Sequence, residues 1–378
     1  MRKGLGSFFL ILVFSLLPTI LIWLPFFLKL NSFWGIPIPQ DGMAVIVSNY
    51  DGPLYLVVAK TLYNKALIGG SFQFPLPTEY YAAHFPLFPL LIKFFGIFIN
   101  YPYAMLTVTL ASSILAIYFF KKLISRYVDE KNANFLTFVF SIFPARWLIV
   151  RSVGSADPLF VAGILASVYF FKNKKFWTSA IWGMVAALTK SPGILLFAAY
   201  VIFYIIEFVK NKKADFNLKK AYPLLLIPLG LILVFVFYGF TIGDFFAYFN
   251  SGDNIHLSLL PFRVFNYSAP WVGTFWLEEI IFIYAVGAIG VYKLIQKKEL
   301  ELASFTGLFY LTILFVAHRD ILRYFLPAVP FLFVAFSDFL IKKEVKIALG
   351  IIMIPIYLYS LAFISQNVMP ISNWAPFL

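Results

Sequence analysis

The sequence predicts an all-α, polytopic bundle of membrane-crossing helices, and three observations carry that prediction. The 378 residues are 62% hydrophobic and only 12% charged, with a mean hydropathy of +0.87. A water-soluble domain is closer to half apolar and a quarter charged. The apolar residues also come in long continuous runs without period-two alternation, which excludes a membrane barrel and leaves helices. Finally, Lys and Arg gather in the short stretches between those runs, as positive loops do on the cytoplasmic side.

A helix needs roughly 17–25 apolar residues to cross a bilayer. By that measure eleven spans are expected, at 8–28, 103–120, 133–150, 156–171, 176–190, 191–209, 222–243, 276–292, 302–317, 324–341 and 347–364. The first is too long for a signal-peptide core, and no small-x-small cleavage pattern follows before Asn31, so it reads as a retained anchor. With Arg2 and Lys3 placed in the cytoplasm, alternate loops carry Lys121–Lys131, Lys172–Lys175, Lys210–Lys220, Lys293–Lys298 and Lys342–Lys346. That arrangement puts 20 of the 30 basic residues inside.

The first long outer loop is then 29–102 and the second 244–275, within one integral-membrane domain covering 1–378. Phe85 to Ile99 is apolar but contains two prolines and Lys93. If it crossed, the Lys-rich loop at 121–131 would lie outside, so it is expected as a juxtamembrane helix in the outer interface. Leu54–Tyr63 is expected as a second short amphipathic helix in the same loop. Asp253, the tail Gln366–Leu378 and the sequon Asn266-Tyr-Ser268 also fall on the outer side.

Composition removes several function classes. The chain has no cysteine, so disulfides, thiolate catalysis and Cys-ligated metals are absent. His84, His256 and His318 show no HxxxH or HxH spacing. The net charge of +13 is explained by topology, and no basic–aromatic stripe points to nucleic acid.

Four outer stretches carry residues able to do chemistry. Asp51 stands in Asn49-Tyr-Asp-Gly-Pro53, where a turn after the carboxylate could hold it as a general base at the membrane surface. The alternative is an Asp that merely starts a helix, since Asp before Gly-Pro is ordinary turn and cap chemistry. Glu79 and His84 flank two tyrosines and an Ala pair. They read as acceptor-binding groups or a second proton acceptor, or as part of an interfacial belt. Asp157, in Ser155-Ala-Asp-Pro158, either starts a helix or faces the same cavity as Asp51. Arg323, with Arg319, Arg151 and Lys190, is a candidate for gripping a phosphate. Pairing of Arg323 with Asp320, or snorkelling to headgroups, is the alternative.

These stretches resemble a known family. Tyr50-Asp-Gly52, a following acidic residue and His84-Phe-Pro-Leu-Phe-Pro-Leu-Leu91 are similar to the first outer loop of polyprenyl-phosphate-sugar-dependent GT-C glycosyltransferases. The likeness is greatest to the phosphatidylinositol-glycan mannosyltransferase class V group and its prokaryotic relatives. Ser155-Ala-Asp-Pro-Leu-Phe160, Ala187-Leu-Thr-Lys-Ser-Pro-Gly193 and Arg323-Tyr-Phe-Leu-Pro-Ala-Val-Pro330 resemble that family's later motifs in the same order. Tyr50 replaces the family's Trp, and Asp157 its Glu.

The resemblance implies a GT-C helical bundle with juxtamembrane helices in the first outer loop. It implies an inverting transfer of a hexose, usually mannose, from a polyprenyl-phosphate donor lipid to an acceptor glycan, lipid or protein. Asp51 would be the catalytic base and Arg323 a phosphate ligand. No cofactor is needed, because a phosphate leaves as a stable anion without a second acid. Asp51 and Asp157 could still converge on a divalent metal. A multi-pass secondary transporter or lipid flippase is the alternative, and a structural membrane partner a third. Clustering of Asp51, Asp157 and Arg323 at one outer cavity separates the enzyme from the transporter, whose site would lie at the midplane.

Overall fold

A computed structural model describes residues 2–72, 76–210, 221–252, 256–266 and 276–378. Asp253, Tyr267 and Ser268 of the sequon, and Lys212, Lys213, Lys219 and Lys220 lie outside the described residues. The longest apolar runs become the longest helices. Among the described residues, six are long and apolar enough to cross a membrane: Phe8–Phe27, Tyr101–Ile124, Ser191–Lys210, Tyr222–Thr241, Glu279–Gln296 and Lys343–Gln366. Each coincides with an expected span.

Local chemistry sets where they begin and end. Asn100 caps Tyr101–Ile124 by accepting the Tyr103 N–H at 3.0 Å, and Pro102 occupies the first turn, where its missing N–H costs nothing. Lys121 and Lys122 sit in the last turn, against the negative end of the helix dipole.

Two expected spans are not single helices. The 133–150 run breaks into Glu130–Phe140 and Ala145–Ser152, bent by 69°. Pro144 stands in the break; it offers no N–H to the helical ladder and disfavours helical geometry at Phe143. The 324–341 run is a chain of pieces: Ile321–Phe325, a 3₁₀ turn Leu326–Ala328, Val329–Ala335 and Ser337–Leu340. Pro327 and Pro330 interrupt it in the same way. Phe176–Thr189 and Leu300–Leu314 are apolar but shorter than 18 residues.

Asp157–Lys172 is the buried centre of the bundle, packed against Phe176–Thr189 and Tyr101–Ile124. Small residues permit that approach. A Cβ on Gly163 would stand 3.0 Å from the Ala186 backbone nitrogen. The Ser167 hydroxyl donates to the Ser179 carbonyl at 2.8 Å and meets Tyr200 Oη at 2.8 Å.

The loop 29–102 is largely helical. Its Leu87–Phe95 helix buries Phe88 and Ile92 and exposes Leu90 and Phe94, the amphipathic pattern expected of a juxtamembrane element. The neighbouring helix is Gly52–Thr61 rather than an amphipathic Leu54–Tyr63. It is buried on all sides except at Lys60, because it packs between Leu87–Phe95, Tyr101–Ile124 and Ala375–Phe377. The only sheet among the described residues is the two-stranded Ser32–Phe33 and Ile36–Pro37 ladder.

Candidate active site

The turn Asn49–Asp51 joins the Met43–Val47 and Gly52–Thr61 helices. Tyr50 adopts a left-handed φ of 50° to make it. Asp51 occupies the cap position of Gly52–Thr61, yet its side chain makes no capping hydrogen bond. The cap explanation therefore does not account for the carboxylate. Gly52 is required there, since a Cβ would lie 2.4 Å from the Val47 carbonyl oxygen. Its neighbour across the packing is Gly154, whose carbonyl oxygen lies 3.5 Å from that same point; a Cβ on Gly154 would in turn run into Met105.

The carboxylate of Asp51 is 35% exposed, facing a cavity. Its Oδ2 accepts from Arg323 Nη2 at 3.3 Å, and Oδ1 has no hydrogen-bond partner among the described residues. Burial pushes the Asp51 carboxyl up, but the nearby charges of Arg323, His84 and Lys190 outweigh this and hold it below the usual carboxylate range. It is ionised at neutral pH.

Arg323 is itself anchored. Its Nε donates to Asp157 Oδ2 at 2.9 Å, and its guanidinium lies over the Tyr50 ring at 4.3 Å from the centroid. Asp157 is only 6% exposed. It also pairs with Lys190 and accepts from Ser155 Oγ at 2.9 Å. Each of its oxygens is thus engaged. Asp157 holds two cations in place rather than offering a free acid, and the Arg323 guanidinium bridges the two carboxylates. Among the described residues no group of three or more His, Asp or Glu is arranged to hold a metal ion.

A second buried pair lies beside the first. Arg146 Nε pairs with Asp320 Oδ1 at 2.9 Å, and Arg146 Nη1 donates to Tyr50 Oη at 3.0 Å. Its guanidinium also stacks on Phe363 at 4.0 Å. Asp320 therefore belongs to Arg146 and not to Arg323. Arg146 is not among the residues singled out from the sequence, although a cation inside an expected span is by itself a signal.

These groups line a cavity of about 1210 Å³. On one side stand Tyr55, Tyr80 and His84. Tyr55 and His84 meet edge to face with centroids 4.9 Å apart. Burial pushes the His84 imidazole below its ordinary value despite the opposing pull of Asp51. On another side His256 and His318, far apart in sequence, bring their rings to 4.2 Å. His318 Nδ1 accepts the Asp320 N–H at 3.0 Å, and burial, with His256 and Arg319 nearby, lowers its pKa to about 4. Ile194, Leu195, Leu231, Phe235, Phe309 and Ile313 form an apolar wall. Arg319 lines the cavity, exposed and without an ion pair among the described residues.

Not every expected residue arrives there. Asp51, His84, Asp157, Lys190, Arg319 and Arg323 all line the cavity. Glu79 does not: it is exposed, and pairs with Lys65 at 2.9 Å, which holds its carboxyl below the usual range. Arg151 does not either. It is fully buried and donates to the Ser15 and Ser141 carbonyls, tying the first helix to the bent pair.

No protein-family model and no curated protein sequence matches the chain. Solved structures do. ArnT from Cupriavidus metallidurans bound to undecaprenyl phosphate superposes with a TM-score of 0.55 at 11% identity, covering 94% of this chain and 77% of that one. Its apo state gives 0.54 at 11% identity, over 94% and 76%. The archaeal oligosaccharyltransferase AglB from Archaeoglobus fulgidus, in complex with an inhibitory peptide and a dolichol phosphate, gives 0.55 at 12% identity over 96% of this chain. This chain spans 57% of the length of that protein. The architecture is the GT-C membrane fold.

Proposed function

We propose that this protein is an inverting glycosyltransferase that takes a hexose from a polyprenyl-phosphate donor lipid to an acceptor hydroxyl. One observation carries the reading: Asp51 lines a large cavity with its Oδ1 free of hydrogen-bond partners among the described residues, while its Oδ2 is fixed by an arginine that is fixed in turn. A general base needs this combination of free lone pair and restricted geometry. The GT-C fold, shared with proteins crystallised with polyprenyl phosphates, supports the choice of donor, as does the apolar wall beside the charged floor.

In the reaction the acceptor oxygen bonds to the anomeric carbon as its proton passes to Asp51 Oδ1. The bond from that carbon to the phosphate oxygen breaks on the opposite face, and the electron pair leaves with the lipid phosphate. Cations lower the cost of the developing charge. Arg319 and Arg323 both bring charge to the cavity, so these two are the phosphate ligands of the proposal, with Lys190 also in the lining. His84, Tyr55 and Tyr80 are placed to receive acceptor or sugar. Mannose is the sugar that the sequence resemblance favours, and the charge distribution supports a cytoplasmic N-terminus with Asp51 on the opposite side.

The test is incubation of purified protein with labelled polyprenyl-phosphate sugars and a membrane extract. Transfer of label with inverted anomeric configuration is expected, with polyprenyl-phosphate mannose the best donor. Absence of transfer from every such donor, with binding intact, would remove the proposal. Transfer from another sugar alone would remove the mannose assignment.

A further inference from the structure

The residues flanking Asp51 are held by a part of the chain 315 positions away. Asn49 is fully buried. Its Nδ2 donates to the Ile364 carbonyl at 2.8 Å, and its Oδ1 accepts from Asn367 Nδ2 at 3.2 Å. The Ile364 carbonyl belongs to the last turn of Lys343–Gln366, where helix carbonyls lack intrahelical donors. Backbone pairing continues the contact: Asn49 and Val368 form an antiparallel bridge, and the Met369 N–H donates to the Ser48 carbonyl at 2.8 Å. On the other side of Asp51, the Gly52 N–H closes the turn onto the Asn49 carbonyl at 3.1 Å. The Tyr50 ring packs on Phe363 at 5.5 Å, and Phe377 packs on Phe72 at 5.1 Å.

We propose that Asn49 is a positioning residue, and that the 364–369 segment is the clamp that sets where the Asp51 carboxylate points. The inference rests on Asp51 being the base in the reading above. Asn49 does not line the cavity. A buried amide with both ends engaged has no freedom to shift alone, so the turn moves only if the clamp does. The left-handed Tyr50 between Asn49 and Asp51 makes external restraint necessary, because such a conformation persists only where its surroundings impose it.

Three variants test this. Asn49→Ala removes both amide bonds, and Met369→Pro removes the N–H given to Ser48. Met369→Ala keeps that N–H and is the control. A displacement of about 1 Å can cost on the order of 100-fold in rate. Asn49→Ala and Met369→Pro are therefore expected to lower kcat by about 10- to 100-fold, with donor KM changed by less than about 2-fold. The acid limb of the kcat/KM pH profile should also move upward as Asp51 loosens from Arg323. Met369→Ala should stay near wild type. If Asn49→Ala and Met369→Pro both turn over normally while Asp51→Asn is inactive, the clamp has no positioning role. The same conclusion follows if they lose donor binding and melting temperature in step with rate. If Asp51→Asn itself turns over normally, the fault lies in the assignment of the base.

Discussion

Arg323 Nη2 and Asp51 Oδ2 meet at 3.3 Å across 272 positions of sequence. The contact joins the centre of one outer motif, Asn49–Pro53, to the first residue of another, Arg323–Pro330, and makes the base and its neighbouring cation one unit. What each does alone is separable by mutation.

Asp51→Asn keeps the size of the side chain and its place in the turn but cannot take a proton. Transfer should fall by about 10²–10⁴-fold with donor binding retained. Single-turnover rates measured beside equilibrium binding of the donor lipid check this. Near-normal turnover would dismiss Asp51 from the chemistry.

The pH profile should report the same carboxylate. Activity requires its ionised form, and its pKa is depressed, so rate is lost as pH falls through that depressed value. Arg323→Gln removes the strongest attractive charge. The acid limb should then shift to higher pH, toward the ordinary carboxylate range, and donor affinity should fall. An unmoved acid limb would show that Arg323 does not govern Asp51.

Asp157→Ala leaves Arg323 and Lys190 without their shared counter-ion. Breaking a buried pair from one side costs about 3–5 kcal/mol, so the melting temperature in detergent should drop. Asp157→Asn should drop it less, since an amide can still accept from Arg323 Nε. Equal melting temperatures for all three proteins would remove the anchoring role.

Gly52→Ala forces a methyl group to within 2.4 Å of the Val47 carbonyl. The backbone must yield, carrying Asp51 with it. Activity should fall by at least about 10-fold even in the fraction that folds. Wild-type activity in that fraction would mean the turn tolerates movement.

Glu79→Gln should leave transfer within about 2-fold of wild type, because its exposed pair with Lys65 contributes little and the side chain is away from the cavity. A large loss, measured in the same labelled-donor assay, would return Glu79 to the acceptor site.

That Asp51, Asp157 and Arg323 could share one end of the bundle was legible in the chain, whereas the direction each residue faces was not. Hydropathy and lysine placement locate a residue along the bilayer normal, and Asp51, Asp157 and Arg323 were legible as neighbours on that axis. A helix apolar all round gives no hint of which side meets its partners. So Arg151 looks like another outer cation, yet turns inward to the Ser15 and Ser141 carbonyls. His256 and His318 lack metal-like spacing, yet their rings meet at 4.2 Å. The breaks near Pro144 and Pro327 were visible as prolines; how far each bends its helix depends on tertiary packing that one sequence does not encode. The Asn49 clamp was hidden for the same reason: its partner is 315 residues distant.

Gly52 and Gly154 form a seam at which the backbones bearing Asp51 and Asp157 nearly touch, with Met105 filling the remaining space. The Met105 side chain packs against both, its Cε 3.3 Å from where a Gly52 Cβ would stand. With Arg323 bridging Asp51 and Asp157, the two carboxylate-bearing segments make up one jaw of the cavity. The apolar wall of the same cavity is built separately, where Leu195–Lys210 packs on Leu300–Leu314 and presents Leu195, Phe309 and Ile313.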